Sequence, residues 1–322
     1  MRVELKPLKE QTIVITGASS GIGLATARLA ASRGARVVLA ARNGEALQKI
    51  VDEIEDHEGE AIYVTADVAD PDQVDAIAAQ AISEFGGFDT WVNGASVGIY
   101  GRLHEIPLED KRRMFDVTFW GVVHGCRSAL PHLRSRGGAL INIGSITSDR
   151  SLPLLGIYAA AKHAVKGYTD ALRMELEEAE APVAVTLIKP ASIDTPFFRH
   201  ARNYMDAMAK PAPPVYSPHV VAKTILHCAE HPTRDVVVGG GGRMITAMGS
   251  MMPRITDRYM EATQFSGQKD REMPIPRESD SLYDAPPDDG DERGEYRGHV
   301  MRSSAYTAAK IHPRTARLLL AA

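Results

Sequence analysis

The chain has almost no cysteine. Cys126 and Cys228 are the only two among 322 residues, too few for a disulfide framework and without the paired spacing of a zinc site. That excludes a stapled secreted domain, leaves no metal centre to expect, and places the protein in a reducing compartment, the cytoplasm. An excess of either charge is also missing. Lys and Arg total 37 against 41 Asp and Glu, a formal net charge of -4, so there is no electrostatic footprint for nucleic acid or an anionic membrane. No apolar run approaches the ~20 residues of a membrane span. Residues Met1 to Gln11 are charged and lead straight into a strand-like segment, with no apolar signal core. Repeats of solenoid period are lacking as well. What remains, 44% hydrophobic and 24% charged residues, is the composition of a globular protein with enough length for one large α/β domain.

Short β-branched runs alternate with segments of helical period. Thr12 to Thr16, Arg36 to Ala40, Ala61 to Thr65, Thr90 to Val92, Ala139 to Ile143, Val183 to Ile188 and Val236 to Val238 read as strands. This order predicts right-handed βαβ crossovers and a doubly wound, seven-stranded parallel sheet covered on both faces, a Rossmann fold. The domain is expected to occupy residues 1–249, followed by a helical extension over 250–265. From 266 to 322 the composition turns polar and rich in Pro and Asp, with Pro274, Pro276, Pro286 and Pro287 and the pair Asp288 and Asp289. Two readings stand: a solvated, partly disordered tail, or an arm that docks Tyr283, Tyr296, Tyr306 and Leu318 to Leu320 on its own domain or a partner.

After the first strand comes a glycine-rich turn, Thr16-Gly17-Ala18-Ser19-Ser20-Gly21-Ile22-Gly23, and then a helix. Such a turn lets backbone N–H groups and the positive end of the helix hold a pyrophosphate. Gly17, Gly21 and Gly23 are the expected contact points. An NAD-type fold would carry an acidic residue at the end of the second strand; this chain has Arg42-Asn43 there. A guanidinium pairs with a 2′-phosphate, which favours NADP(H); a solvent-facing arginine is the other reading. Asp67-Val68, after the third strand, offers a carboxylate to the adenine amino group, or a helix N-cap near Asp70.

Further on, a strand delivers Gly144-Ser145, and a helix opens with Tyr158-Ala159-Ala160-Ala161-Lys162. Positions i and i+4 share a helix face, so phenol and ammonium point into one space. The ammonium, with an oxidised nicotinamide, is expected to bring the phenol nearer to working pH and make Tyr158 an acid–base, with Ser145 holding the substrate oxygen.

In these features together the chain resembles the short-chain dehydrogenase/reductase family, from about residue 8 to about 245. The residues that carry the likeness are the Thr16 to Gly23 turn (with Ser19, Ser20 and Ile22), Asp67, Asn93-Gly94-Ala95, Ser145, Tyr158 with Lys162, and Pro190-Ala191-Ser192-Ile193-Asp194-Thr195. The resemblance implies that Tyr158 exchanges the proton and that Lys162 binds the nicotinamide ribose and lowers the tyrosine pKa. It also implies that Asn93 supports the central sheet, that Ile193 and Thr195 hold the carboxamide, and that Arg42 selects NADP(H). A homodimer or homotetramer paired through the Tyr158 and Phe115 helices follows from the same likeness. Gly94, Ser96 and Ala191 depart from the usual residues, and Thr118 stands where the family's fourth catalytic residue, an asparagine, is usual.

The segments flanking the reactive tyrosine are apolar: Leu152, Pro153, Leu154, Leu155 and Ile157 before it, Phe197, Phe198, Tyr204, Met205 and Met208 after Thr195. They favour a lipophilic ketone, aldehyde or secondary alcohol, and taken singly each reads equally as core. Two rival functions remain, a non-catalytic NADP(H)-binding regulator and a cofactor-retaining epimerase or dehydratase.

Overall fold

The computed structural model describes residues 3–272, 280–286 and 289–311. Seven strands form the central sheet: β1 (Thr12–Thr16), β2 (Arg36–Ala41), β3 (Ala61–Thr65), β4 (Thr90–Asn93), β5 (Gly138–Ile143), β6 (Val183–Pro190) and β7 (Asp235–Val238). Their spatial order is β7-β6-β5-β4-β1-β2-β3, and every pairing is parallel. Chain order reverses beside β1, between β4 and β2, so the crevice at the C-terminal ends of these strands is the switch point where such sheets bind ligands. Thr16 stands in register with Ala40 on one side and Asn93 on the other.

The helices start where their sequences cap them. Asn43 accepts from the Ala46 N–H at 3.0 Å to open α2 (Gly44–Asp56), and Asp70 with Pro71 opens α3 (Pro71–Phe85). Helix α1 (Gly21–Ala31) has no side-chain cap. Helix α4 (Leu108–Phe115) passes into a π turn over Asp116–Trp120 before α5 (Gly121–Arg136). The long α6 (Gly156–Glu178) carries Tyr158 and Lys162. After α7 (Pro218–Glu230) and β7 come α8 (Gly240–Met251) and α9 (Pro253–Gly267), so the expected boundary at 249 falls inside a helix.

Two apolar clusters fill the two faces of the sheet, one built on Ile13, Ile15, Leu24 and Val221, the other on Val14, Trp91, Met114 and Leu140. Through the second runs a line of buried polar groups. The Trp91 indole donates to Asn93 Oδ1 (2.8 Å), Asn93 Nδ2 donates to Asn142 Oδ1 (2.8 Å), Asn142 Nδ2 to Thr169 Oγ1 (2.9 Å), and Thr169 to the Val165 carbonyl (2.7 Å). It ties β4, β5 and α6 together.

The described part of the C-terminal stretch lies against the domain. Leu282 is fully buried in the second cluster. Asp280 pairs with Arg202 at 2.8 Å and Tyr283 Oη donates to Asp110 at 2.9 Å. Tyr306 is partly exposed, packed near Gly240, and Leu318 to Leu320 lie outside the described residues. Among the described residues no helix is long and apolar enough to cross a membrane, and no cluster of metal-ligating side chains occurs.

The polar line supplies a stability test. Asn142→Ala leaves the buried Asn93 amide without its strongest acceptor and is expected to cost about 2–4 kcal/mol. Urea unfolding of the two proteins checks it, and a loss below about 1 kcal/mol would contradict the role given to this line.

Candidate active site

One cleft runs across the C-terminal ends of β1, β2, β4, β5 and β6. The turn after β1 forms its floor. Gly17 and Gly21 have left-handed backbones (φ +72° and +56°), and a Cβ on Gly23 would stand 2.0 Å from the Gly17 carbonyl oxygen. Only glycine permits that approach of α1 to the turn. Helix α1 has no side-chain cap; the Gly21 N–H donates to the Asp291 carbonyl at 2.9 Å, which leaves the N–H groups of Ile22 and Gly23 in its first turn for an anion.

Of the residues singled out in the sequence, the cleft wall brings together Gly17, Ser19, Ser20, Gly21, Ile22, Gly23, Arg42, Asp67, Val68, Ala95, Ser145, Tyr158, Lys162, Pro190, Ile193 and Thr195. Two stand off it. Asn93 lies beneath, with its amide spent on Trp91 and Asn142. Thr118 is fully buried in the π turn, where its hydroxyl lies 3.3 Å from the Val97 carbonyl and from Ser96 Oγ. The helix irregularity is thus present with threonine in place, tied to the loop after β4 rather than to the preceding helical turn.

Asp67 is not free to serve a ligand with both oxygens. One accepts from the Ala69 N–H at 3.0 Å and the other pairs with Arg113 of α4, while the cap of α3 is Asp70. Arg42 has no carboxylate partner within ion-pair distance among the described residues; it donates to the carbonyls of Tyr283 (2.8 Å) and Ser281 (2.6 Å).

At the other end, Lys162 is buried and donates to the Ile143 carbonyl at 2.8 Å, its Nζ 5.6 Å from the centre of the Tyr158 ring. Ser145 Oγ accepts from the Thr147 N–H at 3.1 Å, which leaves its own O–H to donate. Burial dominates both titratable groups. It pushes the Tyr158 phenol up to about 12, against hydrogen bonds from Ser145 and Ser96, and pulls Lys162 down to about 7. Ser96 is the residue that sequence reasoning passed over: it was noted only as a departure from a usual glycine, and here its hydroxyl reaches the phenol and neighbours Thr118.

Beyond Tyr158 the wall is made by Tyr100, Leu152, Leu155, Phe197 and Phe198, with the Phe197 ring centroid 5.2 Å from that of Tyr158. Leu154, Met205 and Met208 belong to the adjoining packed cluster or its surroundings instead.

The short chain dehydrogenase family model matches residues 11–206. The chain belongs to this family. It is 48% identical over 315 residues to the uncharacterized oxidoreductase YxnA of Bacillus subtilis, covering 97% of this chain and 88% of that protein. It is 36% identical over 208 residues to 3beta-hydroxysteroid dehydrogenase 1 of Eggerthella lenta, covering 64% and 78% of the two chains. A solved short-chain dehydrogenase/reductase from Burkholderia phymatum in complex with NAD superposes with a TM-score of 0.70 at 26% identity, over 86% of this chain and all of that one. The fold is accordingly that of a nicotinamide-binding oxidoreductase.

The Lys162 shift carries a pH signature. A lysine whose folded value is below its ordinary one costs stability while both states are protonated, below about pH 7, and the cost fades as pH rises through about 7 toward the ordinary range. Stability of the parent protein relative to Lys162→Met is therefore expected to rise from about pH 6 to about pH 9. Denaturant unfolding across that interval reads the difference; parallel curves would show that Lys162 does not titrate there.

Proposed function

We propose that this protein is an NADP(H)-dependent oxidoreductase acting on a lipophilic ketone, aldehyde or secondary alcohol. The observation that carries the reading is the group of buried Ser145 and Lys162 with half-buried Tyr158, where the glycine-turn cleft meets an apolar wall. A regulator that only bound coenzyme would not need that group. The coenzyme supplies the hydride when bound, and the Gly17 to Gly23 turn, Val68, Ile193 and Thr195 are the residues to hold it.

The chain's own groups handle the proton. On reduction of a carbonyl, the Tyr158 O–H bond breaks and its proton passes to the substrate oxygen; on oxidation it returns. Ser145 donates to that oxygen as charge develops. Lys162, fixed on the Ile143 carbonyl, keeps its amino group beside the ring, and the Ser96–Thr118 contact keeps a second hydroxyl against the phenol. Tyr100, Leu152, Phe197 and Phe198 exclude water and favour an apolar substrate, in line with the steroid enzyme among the relatives. Preference for NADP(H) rests on Arg42, which has no carboxylate within ion-pair distance among the described residues, and on the sequence Arg42-Asn43 in place of an acid after β2. Two buried free thiols suit the cytoplasm, and the exposed Trp120 and Met174 on α5's approach and α6 offer a face for self-association.

A screen of ketones and secondary alcohols for coenzyme consumption tests the reading. Tyr158→Phe is expected to abolish turnover on any substrate found while leaving coenzyme affinity unchanged; turnover near the parent rate would remove Tyr158 as the acid–base. Arg42→Ala is expected to weaken NADPH binding by about 1.5–3 kcal/mol and NADH binding hardly at all. Equal losses for both, measured by equilibrium titration, would take the 2′-phosphate away from Arg42.

A further inference from the structure

β2 ends without a carboxylate, yet a carboxylate reaches that end of the cleft from 247 positions further along the chain, since the strand stops near Arg42 and the group belongs to Asp289. Asp289 lines the cleft with Gly17, Ser19, Arg42 and Asn43. Its Oδ1 is buried and has no hydrogen-bond partner among the described residues, a costly state for a carboxylate oxygen that a hydroxyl donor would relieve.

The backbone on both sides of Asp289 is held. On the near side, Arg42 grips the carbonyls of Ser281 and Tyr283, and Asn43 Nδ2 donates to the Pro286 carbonyl at 3.1 Å. On the far side, the Gly21 N–H donates to the Asp291 carbonyl at 2.9 Å, and Glu292 meets Arg28 at 3.0 Å and His219 at 2.9 Å. The arm thus crosses from the α4 side of the cleft to the start of α1, with Asp289 between its moorings.

We propose that Asp289 is the ribose-binding acid of this coenzyme site, accepting a hydrogen bond from a hydroxyl of the adenosine ribose. This rests on the nicotinamide-coenzyme reading above and adds a residue that opposes Arg42. Arg42 attracts a 2′-phosphate; Asp289 repels one and rewards the free hydroxyl of NAD(H). The selectivity between the two coenzymes is then the difference of two terms of opposite sign, one from β2 and one from the arm.

The test is equilibrium binding of NADPH and NADH, without substrate, to the full chain and to Asp289→Ala and Asp289→Asn. In Asp289→Ala, NADH affinity is expected to fall about tenfold or more, the loss for a hydrogen bond to a charged acceptor. NADPH affinity changes less or improves, because a repulsion goes with the bond. Asp289→Asn, similar in size and still an acceptor, is expected to shift the ratio in the same direction by less, and it stands in if the alanine variant does not fold. An unchanged ratio overturns the proposal, whether both affinities fall together or neither moves. Failure of the parent protein to bind either coenzyme overturns the function reading and this assignment with it.

Discussion

The buried line from the Trp91 indole through Asn93 and Asn142 to Thr169 is the constraint that the site depends on. Each member sits in an apolar interior where a lone amide or hydroxyl is expensive, so the three elements that carry them have one arrangement in which all are satisfied. β4 leads to Ser96, β5 leads to Ser145, and α6 presents Tyr158 and Lys162. Fixing the elements to each other fixes the hydroxyls, the phenol and the ammonium. The Lys162 contact to the Ile143 carbonyl then closes the same connection at the cleft end of β5.

Departures from the family pattern look isolated when met one at a time along the chain. Ser96 and Thr118 are 22 positions apart, and nothing local relates them. In the folded protein their oxygens are neighbours, and Ser96 also meets the phenol. The two residues form a single polar contact between the loop after β4 and the π turn, so the threonine takes up a duty toward the loop.

The sheet was legible in the sequence because parallel strands buried on both faces must be continuous runs of β-branched and apolar residues, as in Thr12–Thr16. The strand ends were less so: β6 runs on to Pro190, paired with Val238, where the missing N–H of proline argues for a stop. Most of the candidate site was readable too, since the glycine turn and the Tyr158–Lys162 spacing are local. The place of Asn93 in its motif says nothing of which way its amide turns, and only the fold shows it spent on Trp91 and Asn142. The arm was hardest to read. Its seat depends on ion pairs and backbone carbonyls reached across as many as 264 positions, and on the buried Leu282, none of which leaves a periodic trace.

That seat also sets an order of events in the life of the chain. Every strand of the sheet lies before residue 239, whereas the residues that line the Arg42 end of the cleft include Ser281, Pro286 and Asp289. A chain leaving the ribosome therefore has its whole sheet, and the Ser145, Tyr158 and Lys162 group, available to fold before the arm has been synthesised. The Ser145, Tyr158 and Lys162 group is assembled first, and the enclosure of the cleft's Arg42 end is finished only with a late stretch of translation.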